Sequence, residues 1–395
     1  MLLSRSCPTE DCQREVRGDE RGCENGGVSE TAEVVIIGGG CMGVATAFHL
    51  ASMGCTDVVL LEGDQLGSGS TSKSAGGVRM QFAEETNLRI ALQGYPQIEH
   101  FEELTGEPID FRQFGYLFLL TTPEELVIFD EAVALQHRYG IPTEKLTAAE
   151  AKRMLPQLHT DDVLAATFCA RDGYMTPEAL VHGYASAARR MGARLRTGRM
   201  ATGISRDATG IVAVETTDGP IATRTVVCAA GAASAIVGTW VDVELPVEPM
   251  PRWMHFTKDD CGIPFESPLT IDFKSSFYFH RETTGLVFGG PEQTLEEMSG
   301  PATYRLPALA EAGIASSWWG NYELSPDHNA MMGGSAEVPG FYYATGFSGH
   351  GFQQSPAVGE HLAELIVGRT PTLDLSELSA SRFAAGVRRD EHFII

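Results

Sequence analysis

The spacing of apolar and polar positions changes several times along the chain, and each change marks an element. Val34-Val35-Ile36-Ile37 is an unbroken β-branched run, the pattern of a strand buried on both faces. It runs into Gly38-Gly39-Gly40-Cys41-Met42-Gly43, after which residues 44–53 read as a helix and 57–62 as a second strand, completing a βαβ unit. Residues 84–104 are amphipathic at helical spacing, 116–120 form a strand, and 122–140 a helix with Pro123 in its first turn. Thr147 and Glu150 have capping-box spacing at the start of a short helix over 147–154. Thr176-Pro177-Glu178 opens a further helix that ends before Gly192. Strands over 193–197, 210–216 and 221–228 follow, the last two joined through an Asp218-Gly219 turn. Between about 246 and 320 the long helices drop out, and strands over 253–257, 277–281 and 285–289 predict an antiparallel sheet. Residues 341–355 return to a strand and a glycine-rich loop, with a helix over 356–366 behind them.

The order of these elements predicts an α/β protein with two interleaved lobes. A Rossmann-like nucleotide domain takes 32–110, 160–245 and 322–395, and an inserted antiparallel-sheet domain takes 111–159 and 246–321. With 395 residues the chain exceeds a typical single domain. Residues 1–31 contain few large apolar side chains and read as a disordered leader. A formal charge of −23 argues against nucleic acid or an anionic membrane as partner. No apolar run approaches the roughly 18 residues of a membrane span, so a cytoplasmic location is expected. The eight cysteines are scattered and suggest no disulfide framework.

Chemistry first enters at the glycine turn. Gly38 permits the turn, Gly40 lets backbone approach a pyrophosphate, Gly43 packs helix on strand, and the helix start, with Cys41 and Met42, offers unpaired N–H groups and a positive dipole end. Glu62, 19 residues beyond Gly43, ends the second strand where an acid accepts the ribose hydroxyls. The loop over 67–79 is rich in hydroxyls and glycine: Ser70, Thr71, Ser72, Gly76 and Gly77 allow close approach to phosphates or a flat ring.

Taken together, the Gly38 to Glu62 unit, Ser70-Thr-Ser with Gly76-Gly-Val-Arg79, Ala229-Ala-Gly231, Trp319-Gly-Asn-Tyr-Glu-Leu-Ser-Pro-Asp-His-Asn329 and Thr345-Gly-Phe-Ser-Gly-His-Gly351 resemble the D-amino-acid oxidase superfamily of FAD-dependent amine oxidoreductases. The sarcosine oxidase β-subunit-like branch and the mitochondrial FAD-dependent oxidoreductase-domain proteins are the nearest in pattern. The resemblance implies a glutathione-reductase-type FAD domain over essentially 32–395. It places Met200, Ala230 and Gly231 among the cofactor contacts, and Gly346, Ser348, Gly349, His350 and Gly351 beside the isoalloxazine. A helix N-terminus there suits a reduced, anionic ring.

The implied reaction oxidises the C–N bond of a small amino acid or secondary amine by hydride transfer to flavin N5, followed by hydrolysis of the imine. Arg79 resembles an arginine that binds substrate carboxylate, while Gln353 stands where some relatives carry a carboxylate-binding lysine. Tyr278 and His280 share one strand face by two-residue alternation, and with Tyr322 and His350 they complete the candidates for the substrate cavity. Asp327 and His328 read as turn or helix capping rather than a metal pair. Neither histidine nor cysteine occupies the positions through which some relatives attach flavin, so FAD is expected to be non-covalent. In Gly285-Leu-Val-Phe-Gly289, Val287 takes the place of a lysine found in oxygen-using relatives, which favours a dehydrogenase delivering electrons to a quinone or flavoprotein over oxygen. The competing expectation is an FAD-binding assembly factor or scaffold without turnover.

Overall fold

A computed structural model describes residues 30–291 and 294–393. The strand Val34–Ile37 lies near the middle of a six-stranded sheet, ordered Met331–Gly334, Phe341–Thr345, Thr225–Cys228, Val34–Ile37, Val58–Leu61 and Arg194–Arg196. All pairings are parallel except the first. Alternation along these strands explains why they are apolar throughout. Val34, Ile36, Val58 and Leu60 face a layer containing the helices Cys41–Ser52, Pro177–Arg190 and Gly351–Ile366. Val35, Ile37, Val59 and Leu61 face the opposite core, built with the strands Ala201–Asp207 and Gly210–Thr216 and the helix Ser234–Thr239. Each such fully buried side chain contributes roughly 1.5–3 kcal/mol.

The second sheet has eight strands, ordered Ile314–Leu324, Glu248–Thr257, Gly285–Gly290, Phe277–Glu282, Leu269–Asp272, Tyr116–Leu120, Ala165–Cys169 and Glu144–Leu146. It is antiparallel apart from the parallel pair Leu269–Asp272 and Tyr116–Leu120. One face, with Leu117, Leu119, Phe277, Phe279 and Phe288, packs with the helices Ala148–Met154 and Leu295–Arg305. The other carries Tyr116, Phe118, Met254, Leu269, Ile271 and Tyr278 and turns toward the nucleotide domain.

Four expectations need correction. Ala165–Cys169 belongs to the second sheet, and Ile314–Leu324 runs through the expected boundary at 321/322. Glu30–Thr31 already form a strand, paired with Ile221–Ala222, and Glu30 bonds to Arg199; residues 1–29 lie outside the described residues. The amphipathic run over 84–104 breaks at His100 into the helices Glu85–Glu99 and Phe101–Thr105, which turns Phe101 edge-on to Tyr184. The last glycine-loop helix begins at Gly351, not at Pro356. The ring nitrogen of Pro356 cannot donate to Phe352 O, and the Ser355 hydroxyl donates to that carbonyl instead at 2.8 Å.

Candidate active site

The first glycine turn is fixed by contact as much as by conformation. Gly38 has φ +111°, and a Cβ there would stand 2.2 Å from Ala229 O; one on Gly43 would stand 1.9 Å from Gly38 O. Gly40 differs: its Cβ would meet only Thr71 Oγ1, at 3.2 Å, with open cavity beyond. The helix Cys41–Ser52 gets no cap from its N-cap residue, Gly40, and has no acid in its first turn; Thr71 Oγ1 takes only the Cys41 N–H. The helix's other leading N–H groups therefore suit a phosphate. Glu62 lines the same cavity, its carboxylate accepting from Gly39 N at 2.8 Å and Asp64 N at 2.9 Å.

The 67–79 loop supplies the adjoining wall. Ser70 Oγ donates to Asn321 O at 2.6 Å, and Thr71 Oγ1 accepts from Cys41 N at 3.2 Å, so this loop ties the strand Ile314–Leu324 to the first helix. Gly76, with φ +69°, fits beneath Met175 O, and Gly77 leaves room for the Tyr116 hydroxyl. Gly77 reaches the cavity, whereas Ser72 and Gly76 do not line it.

A third segment closes the far end. Ser348, Gly349, His350 and Gly351 line the cavity, and the helix Gly351–Ile366 is also uncapped by any side chain and free of acids in its first turn. Gly349 has φ +95°, and a Cβ would lie 2.5 Å from the Tyr322 ring, so glycine is what lets Tyr322 lie against the loop. Gly346 turns the strand behind the lining. Burial and the neighbouring Arg79 charge lower His350 to about 4, and its Nε2 lies 3.0 Å from Phe393 O.

These segments enclose one cavity of about 680 Å³, reaching from Glu62 to Tyr278. Two uncapped helix starts, a ribose-positioned carboxylate and a glycine cradle open to the cavity form the donor and acceptor set of a bound dinucleotide. The family model described as DAO, FAD dependent oxidoreductase, matches residues 33–365. The chain belongs to this family. Human mitochondrial dimethylglycine dehydrogenase is 30% identical over 97% of this chain and 49% of its own length, so the chain spans about half of that relative. Bovine FAD-dependent oxidoreductase domain-containing protein 1 is 29% identical over 93% of this chain and 87% of its own. Among solved structures, L-proline dehydrogenase from P. horikoshii has a TM-score of 0.85 at 33% identity, covering 92% of this chain and 100% of its own. Glycine oxidase from Geobacillus kaustophilus has 0.80 at 26%, covering 90% and 99%.

In this FAD-dependent oxidoreductase the second sheet forms the cavity floor. Met254, Gly289 and Tyr278 are register neighbours, and a Cβ on Gly289 would stand 2.7 Å from Met254 Sδ and 2.8 Å from Tyr278 Oη. Tyr278 therefore reaches the cavity across a glycine gap. Burial holds the Tyr278, Tyr322 and Tyr116 hydroxyls protonated, with pKa values above the phenol range. His280 shares the face of Tyr278 but lies one register row away, packed 4.2 Å from the Tyr174 ring, and does not line the cavity. Val287, its neighbour in that row, does not line the cavity; it is buried against Leu269 and Ile271, which do. Met200 is 55% exposed beside Gly63, and Ala230 and Gly231 reach the cavity.

Arg79 is buried and borders the cavity, but its guanidinium donates to Gln81 O and, at 2.7 Å, to Phe393 O, while lying 4.3 Å from the Phe82 ring centroid. Gln353 Oε1 accepts from Arg79 N at 2.6 Å. Both serve the loop's own architecture. Asp327 is paired with Arg382 at 2.9 Å. Among the cavity residues that sequence reasoning missed are Arg252 and Glu323, which carry charge, and Met254, Leu269 and Ile271, which form the floor. Burial raises Glu323 to about 7, against hydrogen bonds from Thr345 and the backbone of Gly346 and Phe347. Alternation in 318–324, read as a strand, would have pointed Tyr322 and Glu323 to opposite sides; both line the cavity because the strand ends there.

Proposed function

We propose that this protein oxidises the C–N bond of a small amino acid or secondary amine, with FAD held non-covalently. The observation carrying this reading is the cavity itself, which joins a dinucleotide cradle to a floor of Met254, Leu269, Ile271 and Tyr278. FAD, when bound, supplies the acceptor for the electron pair leaving the substrate C–H bond. Glu62 and the helix start at Gly40 would hold its ADP half, and the helix start at Gly351 its ring end. The floor excludes water and presses the substrate toward the ring. The floor residues themselves carry no carboxylate for an ammonium, Glu62 lies at the far end of the cavity and Glu323 accepts from Thr345 Oγ1 at 3.0 Å, so the floor favours the neutral amine.

Non-covalent attachment is supported by the two cavity residues able to bond flavin. Burial pushes the Cys41 thiol up to about 11, and His350 spends Nε2 on Phe393 O. The activities for which relatives are named, dimethylglycine, sarcosine and proline dehydrogenation and glycine oxidation, support the substrate class. A dehydrogenase passing electrons to a quinone or flavoprotein is favoured because no ammonium stands at Val287. Its burial behind the lining weakens that argument and leaves the oxygen reaction of the reduced protein to decide. A cytoplasmic setting rests on sequence alone, and the mitochondrial dimethylglycine and sarcosine dehydrogenases give the competing location for cell fractionation to test.

The deciding experiment mixes the yellow protein anaerobically with sarcosine, dimethylglycine, proline, glycine and D-amino acids. Loss of flavin absorbance with one or more of them is expected. No bleaching with any would favour the scaffold reading, which the 87% coverage of a relative named for its domain alone keeps in view. Acid denaturation should release FAD into solution, and flavin retained by the precipitate would refute non-covalent binding.

A further inference from the structure

After the short helix Ser381–Ala384 the chain changes character. Residues 384–390 are exposed throughout, and 387–393 take part in no helix or strand. Two side chains beyond that tether are buried again, Glu391 at 2% exposure and Phe393 at 0%. Phe393 stacks 4.2 Å from Phe129, meets Phe273 edge-on and lies against Phe118. The Glu391 carboxylate accepts from Asn87 Nδ2 at 2.9 Å, from Glu84 N at 3.3 Å and from Phe393 N at 2.9 Å. Phe393 O accepts from Arg79 Nη2 at 2.7 Å and lies 3.0 Å from His350 Nε2. Backbone ties to Asp327 and Asn329 hold Arg389 and Glu391 from the other side.

An exposed tether whose alternate tip residues enter pockets is the pattern of an extended peptide docked in a groove, here with an acid and an aromatic two residues apart. Such a segment has no strand ladder to hold it, so it opens more easily than the sheets around it. What the tip touches gives that opening a consequence. Arg79 ends the 67–79 loop, His350 belongs to the 346–351 loop, and both line the cavity. One carbonyl therefore ties together the two loops that flank the cofactor cradle. When it leaves, Arg79 keeps only Gln81 O and the Phe82 ring, and His350 loses the partner of its Nε2. We propose that residues 391–393 are a ligand which the chain supplies to itself: a Glu-x-Phe segment that docks reversibly in a groove behind the cavity and, by clamping Arg79 and His350, tightens the hold on FAD. The coupling is reciprocal, so bound FAD holds the segment down by the same factor. The inference uses the FAD dependence of the family and no reading of the substrate.

Trypsin measures the opening directly, because Arg388 and Arg389 lie in the exposed tether. Apoprotein and FAD-loaded protein are digested briefly, and loss of the residues beyond the cut is followed by intact mass. The apoprotein should be clipped faster, since cleavage tracks the open population. In a second arm, full-length Phe393→Ala and a chain stopped after Gly386 are dialysed against FAD. Both should hold it about tenfold more weakly, the worth of one charge-assisted hydrogen bond. A synthetic peptide of residues 387–395, at about millimolar concentration to match a tethered ligand, should restore the stopped chain. The same peptide carrying Phe393→Ala should not. One clipping rate with and without FAD, or wild-type FAD affinity in both variants, overturns the coupling. Variants that lose their near-ultraviolet dichroism, or a stopped chain that the peptide does not restore, make the segment ordinary core and overturn reversible docking. None of these readouts requires turnover, so failure of every amine to bleach the flavin would sink the oxidation reading and leave this one standing.

Discussion

Replacing Arg79 with alanine separates two roles that its sequence position leaves open. Its guanidinium donates to Gln81 O and Phe393 O and lies on the Phe82 ring. Charge-assisted hydrogen bonds contribute about 1.5–3 kcal/mol each, and a desolvated cation–π contact about 1–2. Against this, removing a buried charge recovers desolvation free energy, the main cause lowering the Arg79 pKa. The net loss should be about 3–5 kcal/mol, as when one partner of a buried charged network is deleted. The damage should concentrate in the C-terminal segment, because Phe393 is fully buried and stacked 4.2 Å from Phe129 and shares its carbonyl with Arg79 and His350. Urea unfolding gives the total, and hydrogen exchange of the Glu391 and Phe393 amides locates it. Arg79→Lys should rescue little, since one ammonium cannot reproduce a fork spanning two carbonyls. The ratio of flavin-reduction affinities for carboxylated amines over their esters should stay near its wild-type value. Stability unchanged within about 1 kcal/mol, with that ratio collapsing, would refute the clasp and return Arg79 to the substrate.

Glu62→Ala should weaken FAD retention by about 1–3 kcal/mol, read by equilibrium dialysis of the apoprotein, and unchanged affinity would move the ribose site elsewhere. Gly349→Ala, strained at φ +95° and driven against the Tyr322 ring, should lower flavin content and red-shift or broaden the bound spectrum; a wild-type spectrum would show that the loop yields. His49 and His350 are both lowered to about 4, chiefly by burial. A depressed folded pKa gives stability that is complete above the unfolded value near 6.5 and is lost as pH falls toward 4, at most about 3 kcal/mol for each histidine. His350→Gln should flatten the urea midpoint between those pH values, and an unchanged slope would mean that the ring titrates normally.

What the sequence could disclose was whatever depends on near neighbours. The β-branched run at Val34, the glycine turn, Pro123 in the first turn of its helix and the capping box at Thr147 each involve groups within a few residues, and the structure places them where local chemistry asks. Longer-range facts were only half legible. Alternation identified the face that Tyr278 and His280 share, but depth along a strand depends on what lies opposite, and Tyr278 reaches the cavity over Gly289 while His280 packs on the Tyr174 ring. Nothing local marks Arg252 in Met-Pro-Arg-Trp; it reaches the cavity because pairing sets it beside Gly320, nearly seventy residues on. Arg79 was read correctly as a loop-end arginine beside the site and incompletely as to its bonds, because Phe393 lies at the other end of the chain.

The charge distribution makes these long-range placements matter. The whole chain carries −23, yet the cavity lining holds Lys73, Arg79 and Arg252 against Glu62 and Glu323. With Glu323 raised to about 7 and Arg79 turned onto two backbone carbonyls, the field inside is set chiefly by two helix N-termini and by Lys73 and Arg252 against Glu62. An anion approaching from solution is repelled at distances beyond about 10 Å in low salt and attracted once inside. Any discrimination between anionic and neutral ligands therefore acts within the cavity, and the acidic exterior contributes nothing to it. Such an arrangement places discrimination inside the cavity at the cost of encounter rate.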